Sequence, residues 1–264
     1  MNSASETVNA DPFQTIPVSV SYELDETAAR HRIGLVALAN DFVVERDFAN
    51  ICPSEHVAVH VSRILNDNIC TVETLRAMAP RLTETAALIV KEAQLGSIVY
   101  CCTSGTVVIG YDEVARRLQI AHHGVPVVTP ITAGLAALEK FNARKVAVLT
   151  PYVDEVNSQI AQSIAESGVE PVALTSFRIA NGDEMALIPP QAIYEAALEA
   201  DRPEADALFI SCTAIRAVDV VDRIEKKLGK PVVTANQALI WQALREAGYR
   251  DPIEGYGNLF RLVG

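Results

Sequence analysis

Two short stretches of this chain nearly coincide. Gly124-Val125-Pro126-Val127-Val128-Thr129-Pro130 is echoed by Gly229-Lys230-Pro231-Val232-Val233-Thr234-Ala235, and an internal echo of this kind marks a duplicated architecture. Each copy follows an apolar run that ends in cysteine, Val99-Tyr100-Cys101-Cys102 in the first case and Leu208-Phe209-Ile210-Ser211-Cys212 in the second. The second cysteine lies 110 residues after the first, and the second Pro-Val-Val-Thr 105 residues after its twin. The chain therefore reads as two lobes of like plan, one with a helix trimmed.

Between these landmarks apolar runs alternate with helical periodicity. Arg32 to Ala39, His56 to Val61, Lys145 to Thr150 and Pro171 to Leu174 read as further strands. Helices are expected through Ala49 and over 80–93, 112–121, 153–167, 190–200 and 213–228. Strands alternating with helices imply parallel sheets covered on both faces. The expected fold is α/β, with two pseudo-twofold-related lobes, each a short parallel sheet covered by helices, and an active site in the cleft between them. The expected divisions are an N-terminal tail or strap over 1–29, a first lobe over 30–141 joined by 241–264, and a second lobe over 142–240.

Composition narrows the partners. Half of the 264 residues are hydrophobic, ample for a core, and 22 basic residues stand against 33 acidic ones, a net charge of −11. Such a chain repels phosphate backbones and anionic membrane surfaces, so neither nucleic acid nor membrane is expected as a partner. Residues 1–22 have no basic start and no apolar run of the signal-peptide kind, and no stretch approaches the roughly 20 apolar residues that span a bilayer. A cytoplasmic protein is expected, and a homo-oligomer. The five cysteines, at 52, 70, 101, 102 and 212, form neither an even disulfide framework nor a CxxC metal pair. The His122-His123 pair reads as a solvated surface pair rather than a metal site. No glycine-rich nucleotide motif is present.

In parallel sheets ligands bind beyond the carboxyl ends of the strands. Cys102 and Cys212 both fall at such ends, and two facing lobes put them on opposite sides of one cleft. Each is expected beside a helix N-terminus, whose free N–H groups would lower a thiol's pKa and seat a carboxylate. One thiol would then serve as base or nucleophile. The alternative for any cysteine is a small buried hydrophobe, and Cys52, Cys70 and Cys101 are read that way.

The two cysteine motifs, Cys102-Thr103-Ser104-Gly105 and Ser211-Cys212-Thr213-Ala214-Ile215-Arg216, together with the paired lobes, resemble the aspartate/glutamate racemase superfamily over most of residues 31–250. Within it the branch of maleate cis-trans isomerases and arylmalonate decarboxylases is most similar, in particular the arylmalonate-decarboxylase-like proteins of ectoine-utilisation operons. The resemblance implies a cofactor-independent enzyme acting on a small carboxylate substrate, with Cys102 as nucleophile or base and Cys212 moving the other proton. It implies substrate-binding roles for Asn40, Tyr152 and Asn181, against the plainer alternatives of a helix cap, a packed ring and a turn. N–H groups at Thr103, Ser104 and Thr213 would hold an enolate. Thr103-Ser104 and Thr213-Ala214 depart from the amino-acid racemases, which follow the first cysteine with Asn-Thr, so an α-ammonium group is not catered for. The single-cysteine decarboxylases carry Gly where this chain keeps Cys102, which favours isomerisation. Ala39-Asn40-Asp41 fits the isomerases' opening motif only in part. A decarboxylase-like lyase and a non-enzymatic carboxylate-binding or redox-sensing protein are the alternatives.

Overall fold

The structure, a computed structural model, describes residues 15–24, 30–90 and 94–262. In chain order the first half holds β1 (His31–Leu38), α1 (Val44–Ile51), β2 (Val57–Ile64), α2 (Val72–Arg76), α3 (Leu82–Ala87), β3 (Ser97–Tyr100), α4 (Thr103–Ile109), α5 (Tyr111–Ala121), β4 (Val127–Val128) and α6 (Pro130–Lys140). The second half holds β5 (Lys145–Thr150), α7 (Asp154–Glu166), β6 (Glu170–Ser176), α8 (Gly182–Leu187), α9 (Pro190–Ala200), β7 (Ala207–Ile210), α10 (Val221–Leu228), β8 (Val232–Thr234) and α11 (Ala235–Glu246). These strands form two four-stranded sheets in the orders β2-β1-β3-β4 and β6-β5-β7-β8, parallel throughout. The second order is the first with every strand advanced by four, the fold expected from the echoed motifs.

Helices on both faces explain the unbroken apolar strands. Ile33, Leu35, Val36 and Ala37 of β1 and Val146, Ala147, Val148 and Leu149 of β5 are wholly buried. The echoed Pro-Val-Val-Thr stretches end as Thr129 and Thr234, the N-caps of α6 and α11. Thr132 Oγ1 accepts from the Thr129 N–H at 3.3 Å and Gln237 Oε1 from the Thr234 N–H at 3.1 Å, closing capping boxes. The two helices so begun pack on one another, and α11 also packs on β1 and β3. Ser97 Oγ donates to Ala243 O at 3.0 Å, tying β3 to α11.

Two expected helices take other forms. The one over 80–93 is a single 3₁₀ turn at Ala79–Arg81 followed by α3, which ends at Ala87; residues 91–93 lie outside the described ones. Its termination has a partner, because His122 Nε2 bonds Ala86 O at 2.9 Å. His122 is therefore buried and structural, and only His123 is a surface residue. The helix expected from Thr213 begins at Val221, after a 3₁₀ turn at Ala217–Val220. Cys212 has φ +101°, outside any helix, and Thr213 Oγ1 is engaged across the cleft on Cys101 O at 3.1 Å. Of the expected tail only 15–24 is described, as extended, exposed chain. Among the described residues no helix is long and apolar enough to cross a membrane.

A methyl group at Gly96 would sit 2.6 Å from Ala247 Cα, where α11 ends against the start of β3. Backbone cannot yield as a side-chain tip can, so Gly96→Ala is expected to cost about 1–3 kcal/mol and to lower the calorimetric Tm by several degrees. An unchanged Tm would mean that this contact is slack.

Candidate active site between the lobes

The carboxyl ends of both sheets open into one small cavity of ≈ 50 Å³. Its wall includes Cys102, Thr103 and Ser104 from the first lobe and Tyr152, Cys212 and Thr213 from the second, together with Asn40. Asn181 is not part of that wall. Its Oδ1 accepts from the Asp183 and Glu184 N–H groups at 2.9 and 3.3 Å, capping α8.

Cys102 is the N-cap of α4, and its sulfur accepts from the Gly105 N–H at 3.2 Å. The Ser104 hydroxyl lies 3.8 Å from the same sulfur, while the buried Tyr100 hydroxyl donates to Met78 Sδ at 3.6 Å. Thr103 and Ser104 occupy the first turn of α4, whose N–H groups the helix itself cannot pair. Thr103 Oγ1 is buried without a protein partner. Gly105 is required here: a Cβ would stand 2.6 Å from the Tyr100 hydroxyl and 2.8 Å from the Cys102 sulfur.

The second thiol is held differently. Cys212 sits in a left-handed backbone conformation that costs a non-glycine residue about 1–3 kcal/mol. The conformation is fixed from several sides. The Ala214 N–H donates to the Cys212 sulfur at 3.4 Å, Thr213 Oγ1 to Cys101 O, and Asn236 Nδ2 to Thr213 O at 2.9 Å. Tyr152 shares the cavity wall with Cys212, and its backbone O accepts from Asn157 Nδ2 at 2.8 Å.

The expectation that helix termini would lower both thiols is overturned. Burial pushes Cys102 up, opposed first by the Gly105 N–H and then by the Ser104 and Tyr100 hydroxyls. Burial pushes Cys212 well above the usual thiol range, opposed by the Tyr152 hydroxyl and the Ala214 N–H. Cys212 has no helix start behind it, and at both sites the loss of water outweighs the donors that remain.

Three further wall residues escaped the sequence reading. Cys70, read as a core residue, lines the cavity 3.9 Å from the Ser104 hydroxyl, with its thiol pushed up to about 12 by burial. Asn66 and Asn68 follow β2 as Asn40 follows β1, at the same sheet edge, a signal the sequence offered. Asn66 Nδ2 donates to Asn40 Oδ1 at 2.8 Å, Asn40 Nδ2 to Asn68 Oδ1 at 2.6 Å, and Asn68 Nδ2 to Asp183 Oδ2 at 2.8 Å. This run of amides crosses from the first lobe to the second, where the Cys70 N–H donates to Ala180 O and the Gly182 N–H to Asn68 O, each at 2.8 Å. None of the described residues lining the cavity is Lys or Arg. Among the described residues no group of three His, Cys, Asp or Glu is placed to hold a metal.

Two lobes of identical strand order, meeting at a cavity with a cysteine from each, define a class of enzyme fold shared with known proteins. The chain belongs to the arylmalonate decarboxylase family, whose model matches residues 70–260. It is 33% identical over 140 residues to the arylmalonate decarboxylase of Bordetella bronchiseptica, a match over 52% of this chain and 58% of that one. It is 27% identical over 241 residues to the maleate isomerase of Nocardia farcinica, a match over 87% of this chain and 95% of that one. Among solved structures, a Cys-to-Ser variant of Nocardia farcinica maleate cis-trans isomerase with a covalently bound succinylcysteine intermediate superposes with TM-score 0.80 at 24% identity, covering 88% of this chain and 98% of that one.

A buried carboxylate supports the Cys212 loop. Asp47 of α1 accepts from Asn236 Nδ2 at 2.8 Å, the same amide that donates to Thr213 O. Burial raises Asp47 to about 7, against the opposing Asn236 bond and the Arg46 charge. Its folded value thus lies above its unfolded one, so stability from the protonated form is present at low pH and is lost as pH rises through about 7. Asp47→Asn is expected to gain stability relative to wild type between pH 5 and pH 8 in urea titrations. A pH-independent difference would show that Asp47 is already ionised at pH 5.

Proposed function

We propose that the chain is a cofactor-independent isomerase of a small unsaturated carboxylic acid, worked by Cys102 and Cys212. The observation that carries this is one cavity receiving a thiol from the corresponding edge of each sheet, with Tyr152 in the same wall. The maleate isomerase relatives matched over nearly their whole length support it, as does the succinylcysteine in the Nocardia farcinica structure. A cavity of ≈ 50 Å³ suits an acid of few heavy atoms.

The unlike surroundings of the thiols give them unlike tasks. Cys102, with the Gly105 N–H and the Ser104 hydroxyl at its sulfur, enters as the thiolate. Its sulfur adds to one alkene carbon, and the π electrons move through the second carbon into the adjoining carboxylate. The N–H groups of Thr103, Ser104 and Thr213 face that developing charge, donors of a kind worth about 2–4 kcal/mol each. Cys212, held protonated by burial, gives its proton to the second carbon. The bond between the two carbons is then single and turns. Return of the proton to Cys212 and loss of the Cys102 sulfur release the other isomer. Asn40 and Tyr152 orient the acid.

A second reading, a decarboxylase-like lyase, has its support in the family match and the Bordetella bronchiseptica relative. It needs one proton delivered to one face and leaves Cys102 as lining.

Maleate, arylmalonates and the aspartate- or diaminobutyrate-derived acids that the ectoine likeness suggests form the screen, followed by NMR in deuterated water. A cis-trans product with Cys212→Ala lowered by roughly 10²–10⁴-fold, and a substrate-mass adduct on Cys102 in that variant, are expected. Carbon dioxide release that survives Cys102→Ala would establish the lyase instead. Near wild-type rates in both alanine variants would reduce the thiols to packing residues. Tyr152→Phe, which removes only a hydroxyl from the cavity wall, is expected to lower kcat well beyond tenfold. Unchanged kcat would make the ring a packing residue.

A further inference from the structure

Residues Ile16, Val18, Val20, Tyr22 and Leu24 alternate with Pro17, Ser19, Ser21 and Glu23, the period-2 pattern of a strand with one apolar face. In this molecule that face covers nothing. The five apolar side chains are 84, 75, 72, 76 and 91% exposed, and the segment has no backbone hydrogen bond to another described residue.

A complementary surface lies on the first lobe. β2 is an outer strand of its sheet, paired on one side only, by β1. Val61 on β2 and Leu65 just beyond it are exposed, as is Phe42. The turn carrying Phe42 is held against the end of β2, with the Ala39 N–H donating to Ile64 O at 2.9 Å and Arg63 to Asp41 O at 3.0 Å. An exposed, apolar, unpaired strand is a template for another strand.

We propose that residues 16–24 add as a strand to the outer edge of β2 in a second copy of this chain, which returns the same contact. The nine residues of the arm match the eight of β2 in length. Pro17, which cannot donate to a ladder, falls near the arm's start, where an outer strand tolerates it. Glu23 is the arm's one charge, so it approaches a chain of net charge −11 with little repulsion. Arm and edge are both bare in the same molecule, although the arm lies just before β1 in sequence and β1 adjoins β2, so the arm's partner is a second copy. Exchange in both directions closes a twofold dimer and covers β2 in each copy. This does not rest on the reaction proposed above.

Light scattering on the full chain over a wide concentration range tests it. Wild type is expected as a dimer, and the arm variant Val18→Asp/Val20→Asp and the edge variant Val61→Asp/Leu65→Asp each as a monomer with an unchanged circular dichroism spectrum. Mixing the two variants is expected to restore a dimer, because an intact arm then meets an intact edge once. A monomeric wild type, an arm variant that stays dimeric, or a mixture that stays monomeric would each overturn the exchange. So would slow amide hydrogen exchange over 16–24 in a monomer, which would mean that the arm docks on its own chain.

Discussion

The packing of α6 against α11 sets the geometry on which the site depends. Each helix is launched by the capping threonine that ends a Pro-Val-Val-Thr strand. With the pair packed, the two sheets face each other with their carboxyl edges across a common cleft. That is where parallel sheets leave unpaired N–H groups and where loops rather than strands supply side chains. Thr213 Oγ1 on Cys101 O then joins the two cysteine motifs directly, at 3.1 Å.

The pseudo-symmetry is broken where the chemistry needs it broken. Cys102 passes straight into α4, which brings the Gly105 N–H onto its sulfur. Cys212 passes into an irregular segment instead, with a left-handed backbone and the nearest α-helix starting at Val221. Burial raises both thiols, and only Cys102 has a helix-start N–H on its sulfur. A perfectly symmetric pair would have two equal thiols and no built-in donor and acceptor. The strain at Cys212 is held by Asn236, and through it by Asp47 on the far lobe.

Much of this was legible in the residues. The cysteines at strand ends, the echoed strands and the alternation of elements all rest on local pattern, and local pattern survives folding. The tertiary part was not legible. Nothing in the sequence says that Cys70 differs from Cys52, since each is a lone cysteine in mixed surroundings; only the crossing of the 66–70 loop to Ala180 puts one in the cavity. The helix predicted from Thr213 failed because the Thr213 hydroxyl, a good cap by type, bonds across the cleft. The long helix predicted over 80–93 failed because a histidine far along the chain takes the carbonyl of Ala86. Asn181 shows the converse, since a residue assigned to substrate by resemblance caps its own helix here.

The absence of Lys and Arg from the described cavity wall bears on how an acid is held there. A cation beside each carboxylate would bind substrate and transition state alike, which lowers KM without speeding the chemistry. Neutral donors such as the first N–H groups of α4, Thr103 Oγ1 and the Asn40 amide favour the charge more as it moves from the thiolate onto the acid. They also leave the thiolate without a counter-ion to quench it. The cost is a thiol that ionises reluctantly, as the raised Cys102 shows. The amides of Asn66, Asn40 and Asn68, ending on the Asp183 carboxylate, tie the two lobes together beside that wall.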